Sequence, residues 1–71
     1  MWMRLIKDLI MRKVLAIKVD AFMDKFNGKN STYYKVELNG RLFTIPQSFV
    51  MDGNGCCIEI PEINMQYLQE V

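Results

Sequence analysis

The sequence predicts an α+β domain: an N-terminal amphipathic helix packed on a four-stranded antiparallel β-meander, closed by a short C-terminal helical turn. Three observations carry this. Asn-Gly dipeptides stand at 27–28, 39–40 and 54–55, apolar residues alternate with period two between Tyr33 and Ile45, and an apolar stripe at helical spacing runs through residues 2–10. Asn-Gly is the preferred pair for a type I′ turn, which needs positive φ at both central positions. Spacings of 12 and then 15 residues between the dipeptides suit successive antiparallel strands.

Taken in chain order, Trp2, Leu5, Ile6, Leu9 and Ile10 recur at i, i+3, i+4, i+7 and i+8, with Arg4, Lys7, Asp8 and Arg12 on the remaining arc. A helix over about 2–11, lying across the sheet by its apolar stripe, follows from that period. Met1, Met3 and Met11 are each candidate starts, and the regularity of the stripe favours the full length. Residues 14–26 fit two templates. Leu15, Ile17, Val19 and Ala21 alternate as in a strand, whereas Leu15, Val19, Phe22, Met23 and Phe26 also make a helical stripe ending before Gly28. The β-branched Val14, Ile17 and Val19 and the following Asn27-Gly28 turn favour strand.

The middle hairpin is the most sharply specified element. With Asn39-Gly40 as a two-residue loop, Leu38 faces Arg41, Val36 faces Phe43 and Tyr34 faces Ile45. Tyr34, Val36, Leu38, Phe43 and Ile45 then share an apolar face, with Tyr33, Lys35, Glu37, Leu42 and Thr44 on the other. Pro46 implies a bend or an edge position. The last strand is expected at Cys56–Ile60, with Cys56, Ile58 and Ile60 in the core and Cys57 exposed. Pro61 ends it, and Glu62 to Glu70 make a short helix with Ile63, Tyr67 and Leu68 near one side.

The available chemistry is narrow. The chain has no histidine, which removes the commonest general base, the usual partner of a nucleophilic Ser or Cys, and the commonest zinc ligand. The four glycines, at 28, 40, 53 and 55, fall in predicted turns and form no phosphate loop. Cys56 and Cys57 lack the two-residue gap of a redox or zinc pair. Asp52-Gly53-Asn54-Gly55 resembles a fragment of a calcium loop, but Glu59 is too near for the twelve-residue arrangement, and a polar turn is the commoner meaning. Asp20 and Asp24 would make an acid/base couple only on a helix with a pocket. The expectation is a chain of 71 residues that is not an enzyme and takes neither cofactor nor metal.

Compartment and size narrow it further. No run reaches the roughly 18 apolar residues of a membrane span, and charges at Arg4, Lys7, Asp8, Arg12 and Lys13 break any secretory h-region. Adjacent cysteines staple nothing, so free thiols and a cytoplasmic location are expected. Residues 1–71 read as a single small domain, and a chain this short buries only about 60% of its unfolded surface. Extra stability is then expected from contact with a second copy of itself or with another protein.

Charge is uneven along the chain although the net is only +1. Arg4, Lys7, Arg12, Lys13 and Lys18 outweigh Asp8 at one end, while Asp52, Glu59, Glu62 and Glu70 stand without a base at the other. Internal pairing explains this most simply, with surface pairs worth under about 1 kcal/mol each. Self-association through opposite patches is a second reading. The third is a single-stranded nucleic-acid interface through Arg4, Lys7, Arg12, Lys13 and Lys18, with Tyr33 or Tyr34 stacking on bases. A membrane-surface role for the basic helix ranks last. The expected function is a non-enzymatic protein-interaction module, of the size and type of phage or mobile-element inhibitors and adaptors that bind a larger intracellular protein. Its expected contact surface is the outer sheet face, through Tyr33, Lys35, Leu42 and Thr44.

Overall fold

A computed structural model describes residues 12–71. Among these residues six strands form one antiparallel sheet: β1 (Lys13–Phe26), β2 (Lys29–Leu38), β3 (Arg41–Pro46), β4 (Met51–Asp52), β5 (Cys57–Pro61) and β6 (Gln69–Glu70). Their spatial order is β4-β5-β1-β2-β3-β6. This overturns the α+β expectation. The sheet is not a four-stranded meander, because β5 returns to pair with β1, and two further short strands border the sheet. Helical structure among the described residues is confined to two 3-10 turns, Gln47–Phe49 and Glu62–Tyr67. The helix expected over 2–11 lies outside the described residues.

Local turn chemistry sets the first half of the sheet. Asn27 and Gly28 have φ of 53° and 79°, Asn39 and Gly40 of 54° and 77°, the paired positive values of type I′ turns. Phe26 therefore pairs with Lys29 and Leu38 with Arg41. The pairs Val36–Phe43 and Tyr34–Ile45 stand as the alternation requires, and 14–26 is strand, within Lys13–Phe26.

The third dipeptide behaves differently. Asn54 has no positive φ while Gly55 does, at 62°, and the Cys57 N–H donates to the Asn54 carbonyl at 3.0 Å. Only the first central residue is left-handed, the pattern of a II′ turn. The reversal thus takes Cys56 as its second central residue, and β5 begins at Cys57. Cys56 is exposed and Cys57 half-buried, the reverse of the expected placement. The expected Glu62–Glu70 helix is also shortened. Its last residues leave the 3-10 turn to pair as β6, with Thr44 opposite Gln69 and Phe43 opposite Glu70.

The core is one cluster: Ala16, Tyr34, Val36, Ile45, Ile58 and Ile60. These residues come from β1, β2, β3 and β5 and share one face of the sheet. Phe49 and Val50, after Pro46, and Met65 and Leu68, around the second 3-10 turn, pack against that cluster. The two crossing connections therefore cover the apolar face. A polar bridge ties the first connection down: Gln47 donates to the Tyr34 hydroxyl at 2.9 Å, which donates to Asp52 at 3.2 Å.

Beyond this body the β1–β2 hairpin continues as a two-stranded arm. β5 pairs with β1 only from Lys13 to Ile17, and β3 reaches β2 only as far as Tyr33. A bulge between Lys18 and Asp20 falls where pairing with β5 stops and adds twist there, and from Met23–Thr32 outward the hairpin is two-stranded. Truncating Ile58, fully enclosed at 1% exposure, should cost about 2–5 kcal/mol as Ile58→Ala. Ile17→Ala on the opposite face should stay within about 0.5 kcal/mol. Chemical denaturation of both variants checks the assignment of the two faces.

Candidate interaction surface

Register places the four sequence-nominated contact residues on the face away from the core. Lys35 is opposite Thr44, Glu37 opposite Leu42, and Tyr33 opposite Pro46. Tyr33, Lys35 and Thr44 are half-buried, and Leu42 is exposed. The same face continues across β1 and β5, because Ile17 pairs with both Glu37 and Cys57, and Leu15 with Glu59. Met51 on β4 is opposite Glu59 and extends the row.

Leu15, Ile17 and Met51 were not nominated from sequence, yet they are 62%, 52% and 43% exposed, beside Leu42 at 39%. Alternation in β1 shows which residues share a face, without saying which face turns inward. Ala16, opposite Ile58, is the inward residue. The isoleucines of β3 and β5 already fill the core volume, so a methyl suffices there and the larger neighbours point out. The signal that bears on this is the small Ala16 between two large apolar residues.

Charges on this face are mixed. Lys13 pairs with Glu59 at 3.2 Å, and Asp20 stands opposite Lys35. Toward the arm the face becomes aromatic. Phe22 stacks on Tyr33 with centroids 5.6 Å apart, and Phe26 meets, edge-on at 5.5 Å, the same Phe49 that packs against the core, whose other ring neighbour is Tyr67 at 4.3 Å. Phe26, Tyr33, Thr44, Pro46, Gln66, Tyr67 and Gln69 line a shallow cleft of about 130 Å³. None of these side chains is charged. Tyr33 and Thr44 thus sit in the cleft, while Lys35 and Leu42 lie further along the same face.

The described basic residues of the nucleic-acid reading, Arg12, Lys13 and Lys18, are not gathered in this way. Lys13 is on the outer face in its pair with Glu59, whereas Lys18 is on the core-face side, its ammonium 4.9 Å from the centroid of the Tyr34 ring. Arg12 is exposed and its carbonyl accepts the Glu62 N–H at 2.8 Å. Arg4 and Lys7 lie outside the described residues. Among the described residues, no three His, Cys, Asp or Glu side chains gather where they could hold a metal. No helix among them is long and apolar enough to cross a membrane.

Comparison with known proteins adds no family: no family model matches the chain, and neither a curated protein nor a solved structure matches it.

One wall of the cleft depends on an exposed ion pair. Gln69 is held in β6, and β6 is clasped to β3 by Arg41, whose Nε donates to Glu70 at 2.6 Å while its second nitrogen bonds the other carboxylate oxygen. The hydrogen bond from Arg41, more than its charge, holds the Glu70 carboxyl below the usual value. A lowered folded-state pKa means the clasp contributes fully above the ordinary glutamate range and is lost as pH falls through the depressed value. Fraying of β6 should therefore increase on acidification, and Glu70→Gln should produce it at neutral pH. The Val71 amide, which donates to the Leu42 carbonyl at 3.0 Å, is the exchange probe that reads it.

Proposed function

We propose that this protein acts by binding another protein through its outer sheet face, with Leu15, Ile17, Leu42 and Met51 as the apolar centre and Tyr33, Lys35 and Thr44 beside it. The observation that carries the reading is the exposure of four large apolar side chains on one face of the sheet. A single surface leucine needs no explanation, but several large apolar side chains exposed on one face of a small domain mark a contact site. Charges of both signs are interspersed with it: Glu37 stands between Ile17 and Leu42, Glu59 between Leu15 and Met51, and Glu59 pairs with Lys13, so the patch suits a contact that is part apolar and part polar. The partner has an apolar surface of matching shape with balanced charges interspersed.

A second copy of this chain is the alternative occupant. It is favoured by the same charge balance, since a two-fold contact requires a patch complementary to itself. Protein is preferred over nucleic acid because Lys13 is already engaged by Glu59 and Lys18 belongs to the opposite face. Nucleic-acid affinity rests on several cations neutralising phosphates together.

A photo-crosslinking residue placed at Leu42, with one at Asn30 as the control position, tests this in native lysate. The expected result is a nuclease-resistant, protease-sensitive adduct from position 42 that disappears in an Ile17→Asp background while the strand signal in circular dichroism is unchanged. An adduct destroyed by nuclease, or one indifferent to Ile17→Asp, would overturn the proposal. A single adduct at twice the chain mass identifies the second copy as the partner.

A further inference from the structure

The arm presents β1 as a long edge, and its chemistry points to a surface built against strand addition. In a two-residue hairpin the residues flanking the loop exchange both backbone hydrogen bonds, and bonded pairs then alternate along the ladder. Phe26–Lys29 is that flanking pair, so Phe26, Asp24, Phe22 and Asp20 bond to β2. Ala21, Met23 and Lys25 point their N–H and C=O groups the other way. Among the described residues no strand lies on that side beyond Ile17.

Three of these six outward groups are occupied from within the arm. The Ala21 N–H donates to Asp20 Oδ1 at 2.8 Å, and the Lys25 N–H donates to Asp24 Oδ1 at 2.7 Å. The Tyr33 hydroxyl donates to the Lys25 carbonyl at 3.2 Å. Of the groups at 21, 23 and 25, both donors flanking Met23 and one acceptor are thereby used. The two Asp residues stand four apart, each immediately before an outward-facing residue, so the same local bond recurs along the edge. An incoming strand would have to break these bonds and desolvate both carboxylates to pair there.

We infer that Asp20, Asp24 and Tyr33 guard the β1 edge of the arm, and that the strand they exclude is the same edge of a second copy. Ala21, Phe22 and Met23 are apolar neighbours on an extended strand, the kind of edge that pairs with itself when left open. Two-fold antiparallel pairing centred on Met23 would set Ala21 opposite Lys25 and Phe22 opposite Asp24, with no like charges directly opposed. Charge repulsion alone therefore does not close this register, and the caps do. This goes beyond the outer-face reading, because it concerns a different surface and holds whichever partner that face binds.

The test separates the cap from the charge. Asn keeps the side-chain oxygen acceptor and removes the charge, whereas Ala removes both. The D20A/D24A variant should associate with rising concentration, roughly doubling the mass in sedimentation, and the Met23 amide should become protected from exchange as it does so. D20N/D24N should keep the parent's mass and exchange. Adding Met23→Pro to D20A/D24A should restore the parent's mass, because it removes an outward N–H that β2 does not use. The inference is overturned if D20A/D24A matches the parent in both readouts, if D20N/D24N associates equally, or if D20A/D24A loses the strand signal at concentrations where it is monomeric. Failure of the crosslinking at Leu42 leaves these readouts untouched, so the two proposals fall separately.

Discussion

The structure depends on one apolar cluster that draws Val36 and Tyr34 from β2, Ile45 from β3, Ile58 and Ile60 from β5 and Ala16 from β1 into a common interior. A one-sided sheet normally turns its greasy face toward a helix or a second sheet. Here the cover among the described residues is the chain's own crossings, Phe49 with Val50 and Met65 with Leu68. Those crossings are short 3-10 turns entered through prolines, Pro46 and Pro61, whose fixed φ and missing N–H suit a chain leaving a strand. The Tyr34 hydroxyl joins the polar side chains of Gln47 and Asp52, so the one polar atom carried into the core from β2 is satisfied where the cover meets the sheet.

Because that interior is small and already filled by isoleucine, it accepts only Ala16 from the centre of β1, and the larger Leu15 and Ile17 turn outward. The exposed apolar face is thus a consequence of core volume as much as of surface composition. Faces and edges of this sheet then differ in character. The face offers apolar side chains interspersed with charge of both signs, whereas the long edge of the arm has three of its outward backbone groups occupied by Asp20, Asp24 and Tyr33. On the proposed reading, the binding face and the guarded edge are chemically distinct surfaces.

Legibility from the sequence follows the range of the interactions. The hairpins at Asn27-Gly28 and Asn39-Gly40 were readable because a type I′ turn depends on two residues and sets its neighbours' register. The alternation that buries Tyr34 and leaves Tyr33 on the outer face was readable for the same reason. Cys56 was misplaced because Asn54-Gly55 looks identical to the other two dipeptides, yet only Gly55 is left-handed there. Gly53 decides the matter: its N–H donates to the Cys57 carbonyl at 2.8 Å, and a Cβ on it would lie 3.2 Å from that same oxygen.

What the sequence alone determined is the reversals at Asn27-Gly28 and Asn39-Gly40 and the two faces of β2 and β3, since turn geometry and period-two alternation are local properties, whereas residues 14–26 fitted a helical stripe as well as a strand. Tertiary structure decided that β5 pairs with β1, that residues 69–70 leave the helical turn to border β3, and which face of β1 turns inward. These are choices between residues far apart in the chain, such as Ile17 with Cys57 and Thr44 with Gln69, settled by volume in a shared core and by available hydrogen-bonding edges. No stretch of the chain states those quantities by itself.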